Sequence, residues 1–141
     1  AITGVCARLE DADWDVRKVA VRALAKVAEK GNERAITGVC ARLENADSYV
    51  REAAVRALAE VAEKGDELAI TGVCARLESA DSYVREVAVR ALAKVAEKGN
   101  ERAITGVCAR LENADSDIRE VAVKALAEVA EKGNERAITG L

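Results

Sequence analysis

One period governs this chain. The string AITG begins at Ala1, Ala35, Ala69, Ala103 and Ala137, so every step is 34 residues. Across the four full units, 24 of 34 positions are the same residue in every copy. A unit this short cannot close a hydrophobic core around itself. Stacked copies share one continuous core, so the period predicts a linear array. The units run 1–34, 35–68, 69–102 and 103–136, with a partial copy at 137–141, and they form one repeat domain over 1–141.

Within a unit the pattern is helical twice over. In the second copy Asn32 is placed to cap a first helix and Glu33 stands in its first turn. Ile36, Val39, Cys40 and Leu43 then follow at i, i+3, i+4 and i+7, one apolar stripe. Asn45-Ala46-Asp47 breaks the pattern, and Asp47 or Ser48 caps a second helix. Val50, Ala54, Leu58 and Val61 form its stripe, with Ala57 beside it. Lys64 reads as the last turn and Gly65 as the stop. Pro is absent, and the Val and Ile residues recur at helical spacing, so no strand is expected. The connections are short, which makes consecutive helices antiparallel. Gly4, Gly38, Gly72 and Gly106 fall mid-helix, where Gly costs about 1 kcal/mol relative to Ala. Their recurrence predicts close approach by a neighbouring helix.

The turn and second helix carry a resemblance. Asp11-Ala12-Asp13-Trp14-Asp15-Val16-Arg17, then Val19-Ala20 and Ala23-Leu24, is similar to the HEAT repeat, in the short form also found in phycobilin lyase-like proteins. The turn recurs at 45–51, 79–85 and 113–119. A tetratricopeptide array shares the period but needs helix aromatics and a Pro that are missing here. The resemblance implies an all-α fold: a right-handed α-α superhelix of HEAT/armadillo type, with four helical hairpins and a partial fifth helix. It implies first helices on the convex face and second helices on the concave one. It also implies a polar ladder between neighbouring turns, built from Asp13, Asp47, Asp81 and Asp115 with Arg17, Arg51, Arg85 and Arg119. Asn45, Ser79 and Asn113 interrupt the first acidic position of that turn. HEAT proteins mostly bind proteins or peptides along the concave face. An accessory role in bilin attachment is the other expectation the resemblance carries, although the chain offers no non-repeated Cys, His or acidic cluster for it.

Catalytic chemistry finds little purchase. There is no His, and the hydroxyls lack a basic partner. No Gly-rich phosphate loop is present. Cys6, Cys40, Cys74 and Cys108 occur once per unit, and stacked helices lie roughly 8–10 Å apart. That is too far for a disulfide or a shared metal, so the cysteines are expected to be core residues kept as thiols in a reducing environment. No cofactor or metal is expected. The net charge of −3, with both signs interspersed, gives no footprint for nucleic acid. No apolar run is long enough for a membrane span. The missing initiator Met reads as a processed or excised chain.

Function is expected where the copies differ. The second helices vary along one stripe, opposite their core face. Its four rows are Trp14, Asp15, Lys18, Arg22 and Lys26; Tyr49, Glu52, Arg56 and Glu60; Tyr83, Glu86, Arg90 and Lys94; and Asp117, Glu120, Lys124 and Glu128. They hold every aromatic residue of the protein, and Trp, Tyr and Arg are frequent interface anchors. Their net charges are +2, −1, +1 and −2 in order. The candidate partner is therefore a protein or peptide. Core-type residues at both ends also suggest head-to-tail self-association. The near identity of the copies is what an engineered or consensus-like scaffold without a native ligand would show. The alternative is a fragment of a natural, recently duplicated array.

Overall fold

The structure is a computed structural model and describes residues 1–130. Eight α-helices occur among these residues. They are α1 (Ile2–Ala7), α2 (Trp14–Val27), α3 (Glu33–Arg42), α4 (Ser48–Val61), α5 (Glu67–Arg76), α6 (Ser82–Val95), α7 (Glu101–Arg110) and α8 (Ser116–Val129). A short 3-10 turn at Arg8–Glu10 extends α1. The expected partial fifth helix at 137–141 lies outside the described residues.

Odd and even helices build two layers. Each of α1, α3 and α5 packs on the next odd helix, and each of α2, α4 and α6 on the next even one. Within a hairpin the two helices also pack on each other, giving an all-α solenoid of armadillo/HEAT type. Both predicted stripes supply the core. Ile36, Val39, Cys40 and Leu43 are buried, as are Val50, Ala54, Ala57, Leu58 and Val61.

The helix starts follow from capping. Asn32 Oδ1 accepts the Ala35 N–H at 3.0 Å, and Asp47, not Ser48, caps α4 by accepting the Tyr49 N–H at 2.8 Å. The stop is a correction. Helix α4 ends at Val61, and Ala62 is already extended at φ −105°, ψ 138°. Gly65 is instead the third residue of a turn closed by the Asp66 N–H on the Glu63 carbonyl, and its φ of +89° suits that position. The Gly65 N–H donates to the Val95 carbonyl at 2.7 Å, and Gly31 and Gly99 do the same toward Val61 and Val129. Each exit loop thereby satisfies a last-turn carbonyl of the following hairpin.

The mid-helix glycines answer to one atom each. A Cβ added at Gly38 would lie 3.0 Å from Cys6 Sγ, at Gly72 3.0 Å from Cys40 Sγ, and at Gly106 2.8 Å from Cys74 Sγ. Each notch receives the thiol of the preceding odd helix. Gly4 has nothing within 4 Å of such a Cβ.

Candidate functional site

The even helices place the variable stripe on one solvent face. Trp14, Asp15, Arg22 and Lys26 of α2 are exposed, and Lys18 is half-buried. On α4, Tyr49, Arg56 and Glu60 are exposed and Glu52 is half-buried. Tyr83, Glu86, Arg90 and Lys94 of α6 are exposed, as are Asp117, Glu120, Lys124 and Glu128 of α8. The packing of α2 on α4, α4 on α6 and α6 on α8 sets these rows side by side.

The stripe is not uniform. Arg90 and Glu52 form an ion pair across α4 and α6, which removes that cation and that carboxylate from the free surface. Lys18, Arg22, Arg56 and Lys94 converge on a groove of about 320 Å³ with Val21 and Val55 in its lining. A smaller depression, about 170 Å³, gathers Glu86, Asp117 and Glu120 together with Arg85 and Lys124. A further groove on the same face brings Arg56 and Lys94 together with Glu128, so cations and carboxylates meet between α6 and α8.

The aromatics stand at the N-terminal ends of α2, α4 and α6, along the turn edge of the face. Tyr49 lies under the Arg17 guanidinium at 5.4 Å and Tyr83 under that of Arg51 at 5.7 Å. Lys18 sits 4.9 Å from the Trp14 ring. Each tyrosine is held by the arginine of the preceding hairpin while remaining exposed, a preorganised contact.

The turn residues depart from the expected ladder. Asp13, Asp47, Asp81 and Asp115 each accept the backbone N–H two residues ahead and cap their own helix. Arg51 donates to the carbonyls of Asn45 and Ala46 at 2.8 and 3.0 Å, and Arg17 and Arg119 make the same pair of bonds. Arg85 donates to Ser79 alone. Among the described residues no turn Asp pairs with a turn Arg. Their hydrogen bonds stay inside their own hairpin, where orphan backbone groups are within reach, and it is the guanidinium faces of Arg17 and Arg51 that meet the next one.

The ladder between hairpins runs along the odd helices instead. Arg42 reaches Glu10 at 3.3 Å, Arg76 reaches Glu44 at 3.1 Å and Arg110 reaches Glu78 at 3.1 Å. The same arginines donate to the carbonyls of Gly38, Gly72 and Gly106. Asn45 and Asn113 add amide donations to Glu10 and Glu78, which Ser79 does not make. Sequence reasoning passed over this set, although the invariant Arg-Leu-Glu of every unit carried the signal.

Burial pushes the thiols up. Those of Cys40 and Cys74 rise to about 11 despite the lowering effect of Arg76 and Arg110, and that of Cys6 rises too. They lie in the core as protonated thiols, while Cys108 is half-buried. Among the described residues no group of His, Cys, Asp or Glu is arranged to hold a metal ion, and no helix is long and apolar enough to cross a membrane.

A sequence profile of HEAT repeats matches residues 2–93 and 70–141, which together take in nearly the whole chain. The chain belongs to the HEAT-repeat family. No curated protein sequence matches this HEAT array. Solved structures similar to it include an engineered protein, 24% identical over 98% of this chain and 66% of its own, with a TM-score of 0.49. A designed armadillo repeat protein in complex with the peptide (KR)4 is 24% identical over all of this chain and 69% of its own, with a TM-score of 0.48. Another designed armadillo repeat protein is 19% identical over 99% and 70%, at 0.46. The HEAT array thus spans about two thirds of the length of these structures.

Proposed function

We propose that this HEAT array is a non-catalytic scaffold, engineered or consensus-like, whose even-helix face is the surface offered to a protein or peptide. One observation carries the reading. The invariant polar contacts serve the fold, whereas the varied polar and aromatic residues of the even helices stand together on one solvent face with grooves between them; the other varied positions of these helices hold Val, Ile or Ala and are mostly buried. A core that is copied and a face that is varied is the division of labour of a modular binder. A membrane or a nucleic acid is not the partner under this reading, and the carboxylates do no acid–base work.

Peptide-display selection tests it. Peptides selected on the intact chain should lose binding when Trp14, Tyr49 and Tyr83 are all replaced by Ala. Selected peptides that bind both proteins equally would refute an aromatic-anchored site.

Self-association is a second reading, favoured by a separate observation. Val19 is 60% exposed and Val27 51%, while Val87, Val121, Val61, Val95 and Val129 at the same unit positions are at most 6% exposed. At the other end Val123 is 52% exposed where Val55 is 5%. The two faces are the halves of one internal interface, so a second copy fits head to tail. Sedimentation velocity across a wide concentration range measures it, and a strictly monomeric chain at high concentration would sink the idea.

A further inference from the structure

The free charge on the even-helix face is arranged more sharply than its row totals suggest. With Arg90 and Glu52 satisfied by each other, the middle of the face retains Arg56 and Lys94 as cations without an ion pair among the described residues. Lys18 and Arg22 continue that line onto α2, again without an ion-pair partner among the described residues. Four cations from three successive helices therefore border one groove, with a single carboxylate, Glu60, in its lining. The groove is about 320 Å³, and Val21, Val55 and Ala59 give it an apolar component. Four like charges this close repel one another. An anionic occupant relieves that repulsion, and an apolar lining rewards an occupant that also carries carbon.

Spacing sets the form of the occupant. Stacked helices lie roughly 8–10 Å apart, and an extended chain advances about 3.3 Å per residue. A strand laid across the even helices therefore meets a new row about every three residues. Its carboxylates would face Lys18 and Arg22 first, then Arg56, then Lys94. Beyond them the sign reverses, because Glu120 and Glu128 on α8 stand unpaired among the described residues.

We propose that the groove between α2, α4 and α6 binds an extended acidic peptide of the pattern Glu-x-x-Glu-x-x-Glu, with a cation following at the α8 end. This deepens the scaffold reading above and rests on it. The commitment is to a peptide rather than a nucleic acid: the carboxylates on α8 repel a uniformly charged polyanion at one end of the same face.

The test is fluorescence anisotropy with the intact chain and three labelled peptides: Glu-x-x-Glu-x-x-Glu-x-x-Lys, its charge-inverted partner, and a version with the glutamates contiguous. The first should bind at least about tenfold more tightly than either control. Its affinity should fall as salt is raised, since the cations are exposed and screening sets in beyond about 10 Å at 0.1 M. Arg56→Gln with Lys94→Gln should weaken it about tenfold, and Arg56→Glu with Lys94→Glu further, with circular dichroism confirming that both variants remain helical. Equal binding of all three peptides, or no effect of the Gln pair, would overturn the inference. A single-stranded oligonucleotide that displaces the peptide as well as unlabelled peptide does would overturn it too. These outcomes leave the scaffold reading standing, provided displayed peptides of another charge still require the even-helix face. If displayed peptides of every charge ignore that face, the scaffold reading falls as well.

Discussion

At the scale of single residues, sulfur and glycine set how closely the odd helices approach. The Cys74 thiol occupies the space that a side chain on Gly106 would need. Replacing Gly106 with Ala gains about 1 kcal/mol of helix propensity but forces a contact of 2.8 Å. Overpacking of that kind costs about 1–3 kcal/mol, so the net effect expected is destabilisation of about 1 kcal/mol in urea unfolding. In a Cys74→Ala background the same substitution should become stabilising, because the remaining Cβ of residue 74 would stand 3.5 Å away, an ordinary contact. Gly4→Ala, with no neighbour, should be neutral to slightly stabilising. A Gly106→Ala effect unchanged by Cys74→Ala would disprove the pairing. The thiols also make stability depend on pH. The unfolded chain releases these protons near the ordinary value of 9.0, whereas folded Cys40 and Cys74 hold them to about 11. Their contribution is therefore complete below pH 9 and is lost as pH rises toward 11. Each thiol steepens the decline by up to about 1.4 kcal/mol per pH unit. Thermal melts of the wild type against a Cys40→Ala, Cys74→Ala variant would show the difference, and parallel pH profiles would refute it.

At the scale of elements, the hairpins are closed by their own turns. Arg51 is only 6% exposed and holds two carbonyls of the turn before α4. Arg119 makes the same bonds in the open. Arg51→Ala should cost about 2–3 kcal/mol and Arg119→Ala about 1 kcal/mol, since only the Arg51 bonds are shielded from water and only Arg51 also packs on the ring of the next hairpin's tyrosine. Equal costs in chemical denaturation would show that burial is irrelevant there. Both stripes, both caps and the antiparallel pairing were legible from Asn32 to Val61, because they depend on local periodicity. Gly65 was not. A glycine after an apolar stripe marks a helix stop or a turn equally well, and the partner that decides it, the Val95 carbonyl, lies in the next hairpin. The turn Asp and Arg were misplaced for a related reason. Their polar atoms find backbone of their own turn first, a preference that residue type alone does not reveal.

At the scale of the whole molecule, two kinds of association separate by their response to salt. End-to-end contact through Val19, Val27 and Val123 is apolar, so added sulfate should strengthen it. Peptide binding on the even helices is ionic and should weaken. Val19→Glu or Val123→Glu alone should reduce the sedimentation coefficient at high concentration toward that of a monomer while leaving peptide affinity within about twofold. Loss of both properties together would mean that one surface serves both. The position of the variable stripe was readable from the sequence, since opposite faces of a helix follow from its period. The convergence of four of its cations on one groove was not. Which cations stay free also depends on Arg90 turning to Glu52, a choice made between residues 38 apart in the chain.

The amides of Gly31, Gly65 and Gly99 offer a way to watch this array breathe. Each sits in the loop of one hairpin but donates to the helix end of the next. Its exchange with deuterium is governed by the seam between two units rather than by the unit that contains it. Three protection factors would thus read three seams independently, in order along the chain. If the array opens from its ends, Gly65 should exchange most slowly of the three.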